Sequence, residues 1–118
     1  MSEVIRRYPG TARMSNMVAF QGTLLTKGIT ARGLPRDITA QTKDVLRQLD
    51  ALLEEAGLSK EALLHVMIWL ADSRDFDAMN AVYDEWVALG AQPVRACVEG
   101  RLASPDLLIE IQASAALA

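Results

Sequence analysis

Residues 37–71, DITAQTKDVLRQLDALLEEAGLSKEALLHVMIWLA, set a long amphipathic helix directly before an apolar strand. Asp37 fits an N-cap, because its carboxylate accepts backbone N–H groups that the first helical turn leaves free. Ile38, Val45, Leu49, Leu52, Leu53 and Ala56 then recur at helical spacing. Lys43, Asp44, Arg47, Asp50, Glu54 and Glu55 fall mostly on the other face, and Gly57 is a stop signal. After a short turn at Ser59–Ala62, Leu63–Ala71 is continuously apolar. Its length and β-branched content predict a strand buried on both faces.

Working outward, a second helix is predicted from Asp75 to Ala88. Phe76, Met79, Tyr83, Trp86 and Val87 form its apolar stripe, Gly90 ends it, and Pro93 opens an extended segment. In Val94–Glu99, period-2 geometry sets Arg95, Cys97 and Glu99 on one face and Val94, Ala96 and Val98 on the other. In Leu107–Ala113, Leu107, Ile109, Ile111 and Ala113 share a face, opposite Leu108, Glu110 and Gln112. Toward the N-terminus, Met17–Phe20 and Thr23–Thr26 flank Gln21-Gly22, a hairpin signal. Gly28, Gly33 and Pro35 mark the loop before the first helix. The whole reads as one α+β domain over residues 1–118, with six strands and two helices covering one face of the sheet. The other face then needs a cover, which points to oligomerisation.

Composition narrows the function classes. The chain has 118 residues, 51% hydrophobic and 23% charged, with a formal net charge of −3. Mild acidity argues against a nucleic-acid partner, which calls for clustered Lys and Arg. One Cys and one His nearly exclude a Cys/His metal site. No apolar run approaches the roughly 20 residues of a membrane-spanning helix, and residues 1–10, MSEVIRRYPG, carry no apolar signal core. A soluble cytoplasmic protein is the default expectation.

Few residues offer chemistry. Arg95, inside a strand pattern, is an edge-strand charge, a structural ion pair with Glu99 or Glu110, or a fork for a ligand carboxylate. Glu110, between Ile109 and Ile111, is either an outward strand carboxylate or a group for proton transfer; burying it unpaired would be costly. Cys97 reads as a buried structural thiol, since no His lies near it in sequence. His65 reads as a core or interface side chain, and Lys27 as a turn lysine or a cation facing a pocket. The pattern therefore offers one candidate pair, Arg95 with Glu110, placed on neighbouring strands of an oligomer.

Pro93–Ala115, PVRACVEGRLASPDLLIEIQASA, resembles the C-terminal signature of the RidA/YjgF family, with Arg95, Cys97, Glu99 and Glu110 at matching places. Residues 37–86 resemble the same family, and the likeness runs from about Arg13 to the C-terminus. The resemblance implies a chorismate-mutase-like α+β fold, a homotrimer with clefts between subunits, and no metal or organic cofactor. It implies hydrolysis of reactive enamine and imine intermediates, such as 2-aminoacrylate, 2-iminopropanoate and 2-iminobutanoate, to 2-keto acids and ammonia. By position, Arg95 would bind the substrate carboxylate and Glu110 would orient or activate water. The Cys97 region, Met14, Lys27 and Gly28 would line the cleft. Met14-Ser15-Asn16 stands where the family usually has an aromatic residue before a Ser-Gln pair. Lys27-Gly28-Ile29 stands where it usually has Ser-Gly-Gln. A rival implication is a divergent member that binds a small carboxylate without turnover or acts on a larger anionic substrate.

Overall fold

The computed structural model describes residues 4–33 and 35–117. Its strands are β1 (Arg6–Tyr8), β2 (Met17–Phe20), β3 (Thr23–Thr26), β4 (Ile29–Thr30), β5 (Leu63–Leu70), β6 (Val94–Glu99) and β7 (Ile109–Ala116). The helices are α1 (Ile38–Glu55) and α2 (Phe76–Trp86). The strands join in one sheet of order β1-β2-β3-β7-β5-β6, with β4 also paired to β7. The sheet has seven strands where six were expected, and the short β1 and β4 were not singled out in the sequence. Only β5 and β6 run parallel, joined by the crossover through α2. The sheet is therefore mixed, and both helices pack on one of its faces.

Local chemistry explains the elements. Asp37 caps α1 by accepting the Ala40 N–H at 2.8 Å. Gly57 follows the helix at φ 75°, a left-handed conformation that glycine adopts without a Cβ penalty. Gln21 (φ 48°) and Gly22 (φ 78°) both have positive φ, which makes the β2–β3 hairpin a type I′ turn. Its twist matches that of the flanking strands.

Val45, Leu46, Leu49 and Leu53 of α1 are buried with Ile68, Leu70, Ile109 and Ile111 of the sheet. Each such side chain contributes about 1.5–3 kcal/mol on burial. Buried Gln41 ties the start of α1 to the segment before β7. Its Nε2 donates to the Asp106 carbonyl at 2.9 Å, and its Oε1 accepts the Leu108 N–H at 2.9 Å. Trp86 Nε1 donates to the Asp50 carboxylate at 3.0 Å, linking α2 to α1.

The β5 strand departs from its predicted burial. Val66, Ile68 and Leu70 are buried beneath the helices, but His65 is exposed and Met67 and Trp69 are half-buried on the opposite face. That face is uncovered in the single chain. Cross-strand register extends it to Val94, Ala96 and Val98 of β6, Val18 of β2 and Leu25 of β3. Val94 is 69% exposed, Leu25 52% and Val98 45%. His65 is thus a surface side chain of this face rather than a core residue.

A β-bulge interrupts the strand from β3 to β4. Between the pairs Leu25↔Ser114 and Ile29↔Ile111, three residues on one side oppose two on the other. The bulge comprises Thr26, Lys27 and Gly28. The buried Thr26 hydroxyl stands in for the interrupted ladder, accepting the Ala113 N–H at 3.1 Å and donating to the Lys27 carbonyl at 2.8 Å. Among the described residues, no helix is long and apolar enough to cross a membrane.

Candidate functional site

Arg95 lies on β6, an edge strand, and faces the helix side of the sheet because it pairs with buried Val66. Its Nη1 donates to Asn80 Oδ1 at 2.8 Å. The guanidinium sits 4.7 Å from the Tyr83 ring centroid and 6.0 Å from that of Phe76. Phe76, Asn80 and Tyr83 recur at helical spacing, so α2 presents all three to the same strand. Stacking on aromatic faces suits a planar cation. A cavity of about 410 Å³ opens beside this cluster, lined by Asn80, Tyr83, Asp84, Val87, Leu89 and Arg95, among others.

The ion pairs proposed for Arg95 do not form. Glu99 shares its face, but Glu99 Oε1 accepts the Ser73 N–H at 2.7 Å. No ion pair among the described residues involves Arg95 or Glu110. Cys97 lies two residues along β6, half-buried and packed against the core. Burial pushes its thiol above the usual range, and the Arg95 charge opposes that shift. A protonated thiol is a weak nucleophile, which supports the structural reading of Cys97. Burial likewise raises the Tyr83 phenol, again against the pull of Arg95.

Glu110 lies elsewhere. It pairs with Thr30 on one side and Trp69 on the other, and it is half-buried on the uncovered face. Arg95 and Glu110 are therefore not on neighbouring strands, because β5 lies between β6 and β7. They also occupy opposite faces of the sheet. The Glu110 carboxylate rests against Gly28 in the bulge. A Cβ at position 28 would overlap Glu110 Oε2 and lie 3.1 Å from Cδ. Glycine here makes room for the carboxylate.

The remaining candidates gather near the bulge. The Lys27 N–H donates to the Asn16 carbonyl at 2.9 Å, which brings the loop containing Met14 alongside. Met14 is 49% exposed. Lys27 lines a separate cavity of about 370 Å³ toward α1, with Asn16, Arg32, Asp44, Arg47 and Gln48 among its walls. The candidates thus form two groups: Arg95 with Cys97, and Glu110 with Lys27, Gly28 and Met14. Sequence reasoning missed Asn80, although its place in the Phe76–Tyr83 stripe was the available signal. Thr26 was also missed, since its role depends on the register of a distant strand.

Fold and edge-strand arginine together describe a small α+β protein with two helices on one face of a mixed sheet. The family model described as Endoribonuclease L-PSP matches residues 2–117. The RutC family protein YoaB of Escherichia coli K12 is 40% identical over 113 residues, covering 96% of this chain and 98% of its own. A RutC family protein of Haemophilus ducreyi is 33% identical over 114 residues, covering 97% of each chain. The solved structure of NMB1025, a YjgF family member from Neisseria meningitidis, has a TM-score of 0.93 at 39% identity, covering 98% of this chain and 96% of its own. The chain belongs to the Endoribonuclease L-PSP family, the YjgF/RidA group.

Proposed function

We propose that this chain assembles as a homotrimer and hydrolyses small enamine and imine acids to 2-keto acids and ammonia. The observation that carries this reading is the Arg95 guanidinium, oriented by Asn80 and Tyr83 and paired with no carboxylate among the described residues. An oriented cation of this kind fits a substrate carboxylate. Glu110 is the complementary group. Water adds to the imine carbon as Glu110 takes up its proton, and the proton passes to nitrogen. The carbinolamine then expels ammonia to leave the keto acid. For an enamine, protonation at carbon precedes these steps. The protein supplies orientation and one proton-transfer group to a substrate that is already electrophilic.

Assembly follows from the division of the site. Opposite faces of one sheet cannot grip one small molecule, whereas the Arg95 edge of one copy can meet the Glu110 face of the next. Such a head-to-tail contact closes into a ring and covers the apolar face that carries Val94 and Val98. Val98→Glu would place a charge in that contact. It is expected to turn a trimer into monomer in sedimentation velocity while leaving the far-ultraviolet circular dichroism unchanged. A wild-type chain that sediments as monomer would overturn the assembly.

The activity is tested by generating 2-aminoacrylate or 2-iminobutanoate in situ with a pyridoxal-phosphate-dependent dehydratase. Keto-acid release is then followed with and without the chain. Faster release supports deamination; an unchanged rate with folded trimer removes it. Lys27 in the bulge and Met14 in the neighbouring loop favour a second reading, in which a larger anionic ligand is bound or turned over. The net charge of −3 supports a small anion rather than a polyanion as the ligand.

A further inference from the structure

We infer that Asn80 is the positioning residue that keeps Arg95 both oriented and electrically uncompensated, so that the guanidinium is free to receive a carboxylate. This inference rests on the reading of Arg95 as the substrate anchor. The usual way to fix an arginine inside a fold is a bidentate carboxylate, which also neutralises it. Here the side-chain acceptor is a neutral amide oxygen at 2.8 Å, and the guanidinium stacks on the Tyr83 ring. Both hold the guanidinium without adding a full negative charge. The nearby carboxylates are placed so as not to pair with it. Glu99 is turned to the Ser73 N–H, and Asp84, which lines the same cavity, forms no ion pair with Arg95. Asn80 itself is half-buried on α2, so the amide is held by a rigid element rather than by a loop.

Aspartate is nearly isosteric with asparagine and accepts the same hydrogen bond, which separates charge from structure. If Asn80 only braces the fold, Asn80→Asp should behave as wild type and Asn80→Ala should be the damaged variant. If Asn80 preserves the charge of Arg95, the order reverses: Asn80→Asp fills the anion position and becomes the weaker binder. The experiment measures 2-oxobutanoate binding by calorimetry, and KM and kcat with enzymatically generated 2-iminobutanoate, for wild type and both variants. Expected are a dissociation constant and KM raised by about tenfold or more in Asn80→Asp, a smaller rise in Asn80→Ala, and kcat changed far less than KM in Asn80→Asp. Wild-type affinity in Asn80→Asp would overturn the inference. So would a wild-type chain that binds no keto acid, because Arg95 would then anchor nothing. Keto-acid binding that follows the expected order without imine turnover would sustain the role of Asn80 while removing the deaminase reading.

Discussion

Arg95→Ala is expected to lower kcat/KM for 2-iminobutanoate by about a hundredfold or more, at unchanged melting temperature and oligomeric state. A charge-assisted bidentate contact supplies about 2–3 kcal/mol, and each 1.4 kcal/mol is about tenfold. The loss should fall on KM and kcat together, since the carboxylate grip also fixes the imine carbon relative to water. Stability should barely change because Arg95 makes no ion pair among the described residues and lies on an edge strand. What the substitution removes is one hydrogen bond to Asn80 and stacking on Tyr83. Steady-state kinetics beside differential scanning fluorimetry checks both halves. A variant that loses the wild-type oligomeric state along with activity would make Arg95 a structural residue instead.

Gly28→Ala is the second large expected effect, and it separates activity from folding more sharply. The three nearest atoms to a Cβ at position 28, leaving out the chain neighbours, all belong to the Glu110 side chain. The closest obstruction is thus the far end of a flexible side chain, which can move aside at small cost in stability. On the proposed mechanism the displaced carboxylate no longer sits where water is activated, and a shift of about 1 Å can cost about a hundredfold in rate. Expected is a melting temperature within about 4 °C of wild type, the equivalent of less than about 1 kcal/mol, with kcat reduced by about a hundredfold. In a Glu110→Gln background the same substitution should add little further loss, because both changes act on one group. Additive losses would mean that Gly28 serves the site independently of Glu110.

Much of this architecture is legible in local sequence. The apolar spacing of Val45, Leu49 and Leu53 and the Asp37 cap specify α1, and the Gln21-Gly22 hairpin follows from turn chemistry. These signals lie within a few residues of what they determine. Sheet order does not: β6 and β7 are consecutive strands in the chain, yet β5 separates them, so Arg95 and Glu110 could not be placed on opposite faces by alternation alone. The β5 run was expected to be buried on both faces, and its Met67–Trp69 side is half-open in one chain, since hydrophobicity reports that a face is covered but not by what. Tyr83 was legible as an apolar stripe position. Its second role, as a platform for Arg95, emerges only when the crossover returns β6 beneath α2.

The bulge at Thr26–Gly28 has a consequence for how chains of this design can vary. Leu24 and Ile29 are both buried, yet an odd number of positions separates them, so an unbroken strand would point them to opposite sides. The bulge repairs that parity. Losing or gaining one residue here would turn Ile29 outward and unseat the Gly28–Glu110 contact together. Segment length is thus frozen by the core. Position 27 is not held by that constraint. Divergence of ligand preference at this corner should accordingly proceed by exchanging the side chain at Lys27 and not by lengthening or shortening the loop.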